Sequence, residues 1–497
     1  MSKKEEYQKN HIFDKTELEN RLYSLIDKTL GELDVAGVFE RTLTAPKITG
    51  IAGDVIERSV LGYPSDNRQA PDILIDNTPY EVKTTGLRRD KKNSGELVAK
   101  EPMTITDVSF SSIVNEDFEH SHFWEKASHL LIFYYLYDSE FTVTAQEYAN
   151  FPFMGFDFHE FDEQDKAILK NDWELIRDFI KTIQETSPDP KSEYPRLSHE
   201  LRDRLMYLDT SPKYPNPPRF RLKRTVVSEM YRKRKNRGAK IDRLPQEINS
   251  YFQLDTVCRT LEKKYKNVSV NDLMRLFGIP FPSSGVVSKN VGEQIVVKMF
   301  GGSSKKLSDI DIFKAAGLKA KTVVLSVKEK RTEDMKLVPL DFGELLNPSI
   351  SYEESSIHDY FAEQQFLCIV FQEKDNHQIF GENIFKGFKR VSFPDNILEK
   401  SAKQTWLEIR ELLLNKHLKE TFCYSKDGSQ IINKTGKPKT ALNFPKSRDH
   451  LIFVRGDGFD STKKPLLLFG IKMYRQYLWI RGDEIVKIIH EAFDKDK

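Results

Sequence analysis

Apolar and polar positions alternate along this chain with two distinct periods. Leu18, Leu22, Leu25, Ile26 and Leu30 recur at helical spacing behind Asp14, with Glu17 three positions on, and predict a capped amphipathic helix over 14–33. A shorter helix is expected between Gly53 and Gly62, on which Glu57 leans toward the buried side, one turn from Gly53, Val60 and Leu61. Ile73, Leu74 and Ile75, the turn formers Asp76 to Pro79 and the stretch through Lys83 predict two strands joined by a tight reversal. Residues 109–138 begin as a helix carrying Lys126 and end in the apolar run Leu130–Leu136, suited to a strand buried on both faces. Ile168, Leu175, Ile176, Phe179, Ile180 and Ile183 predict a helical hairpin over 164–184. Prolines crowd 187–218 and exclude long regular elements there.

The order of segments then repeats. Gly292 to Val296 parallels Gly53 to Glu57, and Ser308-Asp309-Ile310 through Thr322 parallels Pro71-Asp72-Ile73 through Thr84. Tyr352 to Ser355 and the run Phe366–Phe371 parallel Phe118 to Ser121 and Leu130–Tyr135. A helix over 270–277 and a loop over 278–285 precede this second copy. The expected organisation is therefore a domain over 1–250, a connector over 251–285 and a second domain over 286–497. The copies differ where chemistry is at stake, with Val296 in place of Glu57 and Lys319 in place of Glu81.

On the second predicted strand Glu81 and Lys83 are two residues apart and share a face, while Val82 points to the other. Asp72, at the mouth of the first strand, can meet them. Two carboxylates beside a lysine suit metal-assisted phosphodiester hydrolysis, because hard oxygens hold Mg²⁺ and the lysine orients or deprotonates the attacking water. This is the form of the PD…(D/E)xK nuclease signature. A solvated hairpin with ordinary surface charges is the alternative, since 31% of the residues are charged. Glu57 divides in the same way between an inward carboxylate and a surface partner of Arg58.

Overall charge does not point to nucleic acid: 77 Lys and Arg face 75 Asp and Glu, a net +2. The local charge does. Between Arg219 and Arg243 eleven Lys and Arg face only Glu229 and Asp242, with aromatics interleaved, which favours phosphate contacts over a merely solvated face. Three scattered cysteines (Cys258, Cys368, Cys423) argue against disulfides or a cysteine-built zinc site. The charged start and the lack of any long apolar run predict a cytoplasmic protein without a membrane span.

The set Glu57, Asp72, Glu81 and Lys83, the segment Phe118-Glu119-His120-Ser121-His122 with Lys126, and Arg219-Phe220-Arg221-Leu222-Lys223 together resemble the MutH family of DNA endonucleases. That family includes a mismatch-repair nickase and restriction enzymes that cut GATC. The resemblance implies an α/β fold of two tandem PD-(D/E)xK domains, each a mixed sheet flanked by helices, the first active and the second an inactive DNA-binding effector. It implies a type II, specifically type IIE, endonuclease that needs Mg²⁺, binds two copies of a double-stranded palindrome, with GATC the expected target, and works beside a cognate DNA methyltransferase. Asp72, Glu81 and the Val82 carbonyl would hold the metal with Glu57 completing the set. Lys83 would position water and Lys126 would support the phosphate. His120 and His122 would be structural. Lys213, Arg219, Arg221, Lys223, Arg224 and, in the second half, Arg455 would contact DNA. The nickase carries a tyrosine where Arg221 stands, and its recognition Arg-Pro-Lys is matched only by Ser211-Pro212-Lys213. A mismatch-repair nickase and a non-enzymatic DNA-binding protein are the alternatives.

Overall fold

The computed structural model describes residues 9–44, 50–64, 70–90, 95–139, 143–211, 214–236, 242–330, 333–375, 379–425, 427–433, 436–458 and 463–494. The chain divides into two compact units, Met1–Val257 with Val297–Leu318, and Cys258–Val296 with Lys319–Lys497.

In the first unit, a short strand β1 (Ile12–Phe13) leads into helix α1 (Lys15–Tyr23), capped by Asp14, which accepts from the Glu17 N–H. The helix expected as far as residue 33 stops early, because Asp27 takes a left-handed φ of 70°. Thr29 then caps a separate turn, α2 (Leu30–Leu33), in a reciprocal box with Glu32. Helix α3 (Ile51–Val55) runs into a wider π-turn, Ile56–Leu61, which ends at Gly62 (φ 85°). The main sheet holds β2 (Ile73–Ile75), β3 (Thr78–Arg89), β6 (Leu130–Leu136) and β7 (Phe153–His159) in the order β1-β2-β3-β6-β7, with β4 (Leu97–Ala99) also on β3. β3 and β6 are parallel, β2–β3 and β6–β7 antiparallel, so the sheet is mixed. Helix α4 (His122–Ala127) leads into β6, whose every residue is buried, as the apolar run requires.

A smaller sheet, β5-β9-β8, joins Met103–Asp107, Arg219–Leu222 and Leu208–Asp209. The segment expected as a helical hairpin is one continuous helix, α5 (Glu163–Thr186). No glycine or proline interrupts it. Its Asp172 is fully buried and accepts from the backbone N–H groups of Met206, Tyr207 and Leu208, pinning the approach to β8. Two short helices, α6 (Pro190–Glu193) and α7 (Leu197–Glu200), and then α8 (Arg224–Lys235) complete this stretch.

Residues 251–285, expected as a connector, carry α9 (Tyr251–Tyr265) and, matching the helix expected over 270–277, α10 (Val270–Leu276). Helices α11 (Asn290–Met299) and α12 (Asp311–Ala315) follow, the latter within the first unit. The second unit then builds one sheet, β10-β12-β13, from Leu318–Leu325, Gln365–Gln372 and Ile384–Val391. Another, β11-β19-β16, uses Met335–Pro339, Arg475–Ile480 and Ile452–Asp457. Helices α13 (Phe342–Leu346), α14 (Ser356–Glu363), α15 (Lys403–Leu414) and α16 (Gly482–Asp494) flank them, and the pairs β14-β15 (Glu420–Phe422, Thr440–Leu442) and β17-β18 (Leu466–Leu468, Ile471–Met473) are two small ribbons.

The internal geometry of the two units corresponds closely. β6 pairs antiparallel with β7, and the register slips after Tyr134, which faces Gly155 (φ 115°). β12 pairs antiparallel with β13, and the register slips after Val370, which faces Gly387 (φ 140°). The Tyr137 N–H donates to the Leu87 carbonyl (2.7 Å) and the Glu373 N–H to the Leu325 carbonyl (2.8 Å), which fixes β3 against β6 and β10 against β12 in matching register. The match extends to the supposed connector. Asp27 and Asn267 both have left-handed φ, at 70° and 66°. Thr29 and Ser269 then cap α2 and α10, and bridge to Pro152 and Ile384 beside or in β7 and β13. The parallel fails at one expected point. Asp309 lies on a 3₁₀ turn (Leu307–Asp309) leading into α12, not on a strand like β2.

Candidate active site

The hairpin β2–β3 turns on Asp76 and Asn77, both left-handed at φ 48° and 67°, the two-residue geometry that Asn and Asp tolerate best. Its register pairs Ile73 with Tyr80, which sets Asp72 opposite Glu81 at the open end. The Val82 N–H donates to Asp72 Oδ2 at 2.8 Å and holds that carboxylate in place. Val82 itself packs into the core, so Glu81 and Lys83 share the opposite face of β3. The parallel partner β6 clamps this point, with the Glu81 N–H on the His129 carbonyl at 3.0 Å.

Lys126 arrives from the loop and helix before β6. The buried Ser121 hydroxyl donates to the Phe118 carbonyl (2.8 Å) and accepts from the Trp124 N–H (3.1 Å), capping α4. One turn later Lys126 Nζ reaches both Glu81 oxygens at 3.1 Å, and Lys83 Nζ reaches Oε1 at 2.8 Å. Glu81 is only 3% exposed, and two ammonium groups offset the cost of burying its charge. Asp72 has less help. Burial, and after it the charge of Glu81, push its carboxyl up to about 7, against the pull of Lys83 and Lys126. Near neutrality the Asp72 carboxyl therefore keeps its proton readily unless a cation offsets its charge.

A divalent cation suits that donor set. Mg²⁺ takes hard oxygens and is commonly held by one or two carboxylates, with waters and phosphate filling the rest of its shell. Among the described residues no three His, Cys, Asp or Glu side chains are grouped to hold a metal ion, so Glu57 is not gathered with Asp72 and Glu81 into a triad. Glu57 lies half-buried on the π-turn, and its carbonyl accepts from the N–H groups of Gly62 and Tyr63. His120 is exposed and paired with Asp117 through Nδ1 at 2.9 Å.

The expected DNA-contact residues are dispersed. Arg219 is exposed and pairs with Asp107 at 3.1 Å. Arg221 forms a forked pair with Asp209, the closest contact 2.7 Å. Lys223 is corrected: it is 7% exposed, donates to the Leu205 carbonyl and sits over the Tyr251 ring, so it is not a surface phosphate contact. Arg224 opens α8 and is half-buried. Along α8, Arg232 pairs with Glu229 and Asp311, Lys233 with Asp165 and Asp311, and Arg234 donates to the Phe156 carbonyl. These cations hold the first unit together. Arg455, on β16, pairs with Asp334 at 2.7 Å and has the Phe453 and Trp479 rings 5.0 Å away. Lys213 and the 237–241 part of the basic run lie outside the described residues.

Lys336 stands out only in three dimensions. Its carbonyl accepts from Lys321 Nζ at 3.2 Å, and nothing in the sequence linked the two positions.

Two comparisons bear on this site. The family model described as "DNA mismatch repair enzyme MutH" matches residues 61–172, a span that takes in Asp72, Glu81, Lys83 and Lys126. The type II restriction enzyme Sau3AI of Staphylococcus aureus is 24% identical over 415 residues, covering 79% of this chain and 78% of that protein. Both comparisons liken the chain to enzymes that act on DNA, and the family-model match spans the Asp72–Glu81–Lys83–Lys126 cluster.

Proposed function

We propose that this chain is a MutH-like restriction endonuclease of type IIE, hydrolysing double-stranded DNA at a short palindrome, GATC, with Mg²⁺. The observation that carries the reading is Glu81, buried between Lys83 and Lys126 and directly opposite Asp72. Bound there, Mg²⁺ would polarise the scissile phosphate and acidify a water. Asp72 and Glu81 would hold it with the Val82 carbonyl, and Glu57 would support the set from the π-turn. The Lys83 ammonium orients the attacking water, and Lys126 steadies Glu81 and the phosphate. Arg219, Arg221 and Arg224 in the first unit and Arg455 in the second are the DNA contacts of this reading, with Lys213 among them.

We further propose that the two units are copies of one PD-(D/E)xK fold, the first catalytic and the second a DNA-binding effector. Matched register, glycine bulges and caps support the duplication. The likeness to a type II enzyme over most of the chain favours restriction over mismatch repair. The reading implies a cognate methyltransferase and a cytoplasmic location. Among the described residues, no helix is long and apolar enough to cross a membrane.

The test is digestion of methylated and unmethylated plasmids with Mg²⁺, followed by sequencing of the ends. Ends within GATC are expected, and intact DNA under all conditions overturns the reading. Two-site plasmids should be cut faster than one-site plasmids, with a cleavage-resistant duplex rescuing the slow substrate by roughly 5–150-fold. Equal rates, with the duplex only competing, would leave the second unit without an effector role.

A further inference from the structure

We propose that residues 419–442 of the second unit form a β-ribbon that grips double-stranded DNA, its lysines on the phosphates and Phe422, Tyr424 and Ile432 against the groove. This rests on the reading that the second unit binds DNA, and names the element that does so.

The ribbon is built without a core. Strands β14 and β15 pair Phe422 with Thr440, and isolated bridges join Tyr424 to Gln430 and Ile432 to Pro438. Three backbone bonds close the stretch on itself. The Cys423 N–H donates to the Lys439 carbonyl (2.9 Å), the Ile431 N–H to the Cys423 carbonyl (2.9 Å) and the Lys439 N–H to the Ile431 carbonyl (2.7 Å). Among the described residues of 419–442 none is buried. The neck is where the ribbon is fixed. The Asn443 side chain accepts from the Lys419 N–H at 2.9 Å and donates to the His417 carbonyl at 3.1 Å. The Val454 N–H donates to the Pro445 carbonyl at 2.9 Å, which brings the root of the ribbon to β16 beside Arg455. Burial lowers the pKa of the Lys446 ammonium at this root, and the Arg455 charge adds to that.

A small hairpin of this kind is marginal in water by itself, so its exposed apolar side chains are not there to stabilise it. Phe422, Tyr424 and Ile432 are 55%, 60% and 52% exposed. Phe422 and Tyr424, two apart on one strand, share a face. Grouped exposed apolar side chains mark an interaction surface. The charge selects the partner. Residues 419–442 hold five lysines (Lys419, Lys426, Lys434, Lys437 and Lys439) against Glu420 and Asp427. Both carboxylates are engaged within the second unit. Glu420 accepts from the Thr440 hydroxyl and Lys464 Nζ, and Asp427 from the Ser425 and Ser429 hydroxyls and the Ser429 N–H. Lys419, Lys437 and Lys439 are exposed and, among the described residues, form no ion pair. Exposed lysines around an apolar face suit phosphates flanking a groove, and the major groove of DNA admits a two-stranded ribbon. An apolar protein partner would leave those lysines unmatched.

In the experiment the full-length chain is titrated calorimetrically with a cleavage-resistant duplex carrying GATC, in Ca²⁺ and at several NaCl concentrations. Wild type is expected to take two duplexes per chain. Lys419→Gln/Lys437→Gln/Lys439→Gln should lower the log–log salt slope of one of them by about 2.7, or about 0.9 for each phosphate contact, and leave the other unchanged. Lys419→Arg/Lys437→Arg/Lys439→Arg, which keeps the charge, should keep the wild-type slope. Phe422→Ser/Tyr424→Ser/Ile432→Ser should weaken the same duplex with its slope intact, because apolar contacts release no counterions. As none of these side chains is buried, every variant should melt with the wild type. An unchanged slope in the Gln variant, or a lowered one in the Arg variant as well, overturns the proposal. So does altered sedimentation of the Ser variant with DNA affinity intact, which would assign the apolar face to a second copy of the chain. A single duplex per chain in wild type would overturn the DNA-binding reading of the second unit itself, and the role of the ribbon with it.

Discussion

Strand β3 and strand β10 occupy the same register in their units, yet one carries Glu81 and Lys83 and the other Lys319 and Lys321. The surrounding scaffold differs much less: a buried serine caps the incoming helix, and a positive-φ glycine bends the neighbouring strand pair in both. Packing is thus separable from chemistry. The bulge, the cap and the buried strand keep the fold, and a few side chains on one strand face decide what it can do.

The sharpest way to break the comparison is to remove the equivalent lysines one at a time. Lys83→Ala should slow single-turnover cleavage by roughly 10²–10⁴-fold, the usual range for a lost proton-handling group, with DNA binding retained. Lys321→Ala should leave cleavage of a one-site plasmid at the wild-type rate. Similar losses from both would mean that the second strand also takes part in the reaction.

The glycines test the scaffold. At φ 115° and 140°, Gly155 and Gly387 occupy backbone that side chains rarely adopt, and an added Cβ would press on Arg234 or Glu262. Gly155→Ala and Gly387→Ala should each lose about 1–3 kcal/mol in urea unfolding. A neutral result at either would show that its bulge is not under the same constraint.

The serine caps separate structure from reaction. Ser121→Ala and Ser355→Ala should each cost about 0.5–2 kcal/mol of stability. Only Ser121→Ala should also slow cleavage, because its helix aims Lys126 at Glu81. A cleavage defect from Ser355→Ala would blur the distinction.

A further test concerns acid. The Asp72 carboxyl is raised from 3.8 to about 7, so the folded metal-free protein holds a proton that the unfolded chain gives up. Its contribution to stability is fully present below about pH 4 and is lost as pH rises through 7. The melting temperature of metal-free wild type, compared with Asp72→Asn, should fall more steeply between pH 5 and 8, and Mg²⁺ should reduce the difference. Parallel curves would show that Asp72 is not desolvated as described.

Much of the candidate site was legible because it is local. Pro71 to Lys83 encodes its own turn, and period-two alternation sets Glu81 and Lys83 on one face. The run 130–136 announces a buried strand with no help from elsewhere. The misses have the opposite character. Arg232 and Lys233 looked like phosphate contacts because their partners, Asp165 and Asp311, are distant in sequence and invisible to a charge count. Residues 251–285 looked like a connector because the repeat survives there as conformation. Asp27 and Asn267 share a left-handed turn, and Thr29 and Ser269 a cap, through interchangeable polar residues. The helix 163–186 was split only because a hairpin was assumed where no turn residue exists.

Helix α12 stands where the order of segments leads one to expect a strand, and this has a consequence. In the first unit the two-residue turn at Asp76 and Asn77 delivers Asp72 to Glu81, whereas the stretch before β10 winds into a 3₁₀ turn and a helix. Two residues past Asp309, Asp311 pairs with Arg232 and Lys233 inside the first unit. Replacing Lys319 by glutamate would supply one carboxylate and no hairpin. Supplying a second would mean unwinding a helix whose Asp311 helps to hold the first unit together. A second carboxylate pair is therefore out of reach of single substitutions: point changes can tune the face of β10, but building a hairpin before it would loosen the first unit.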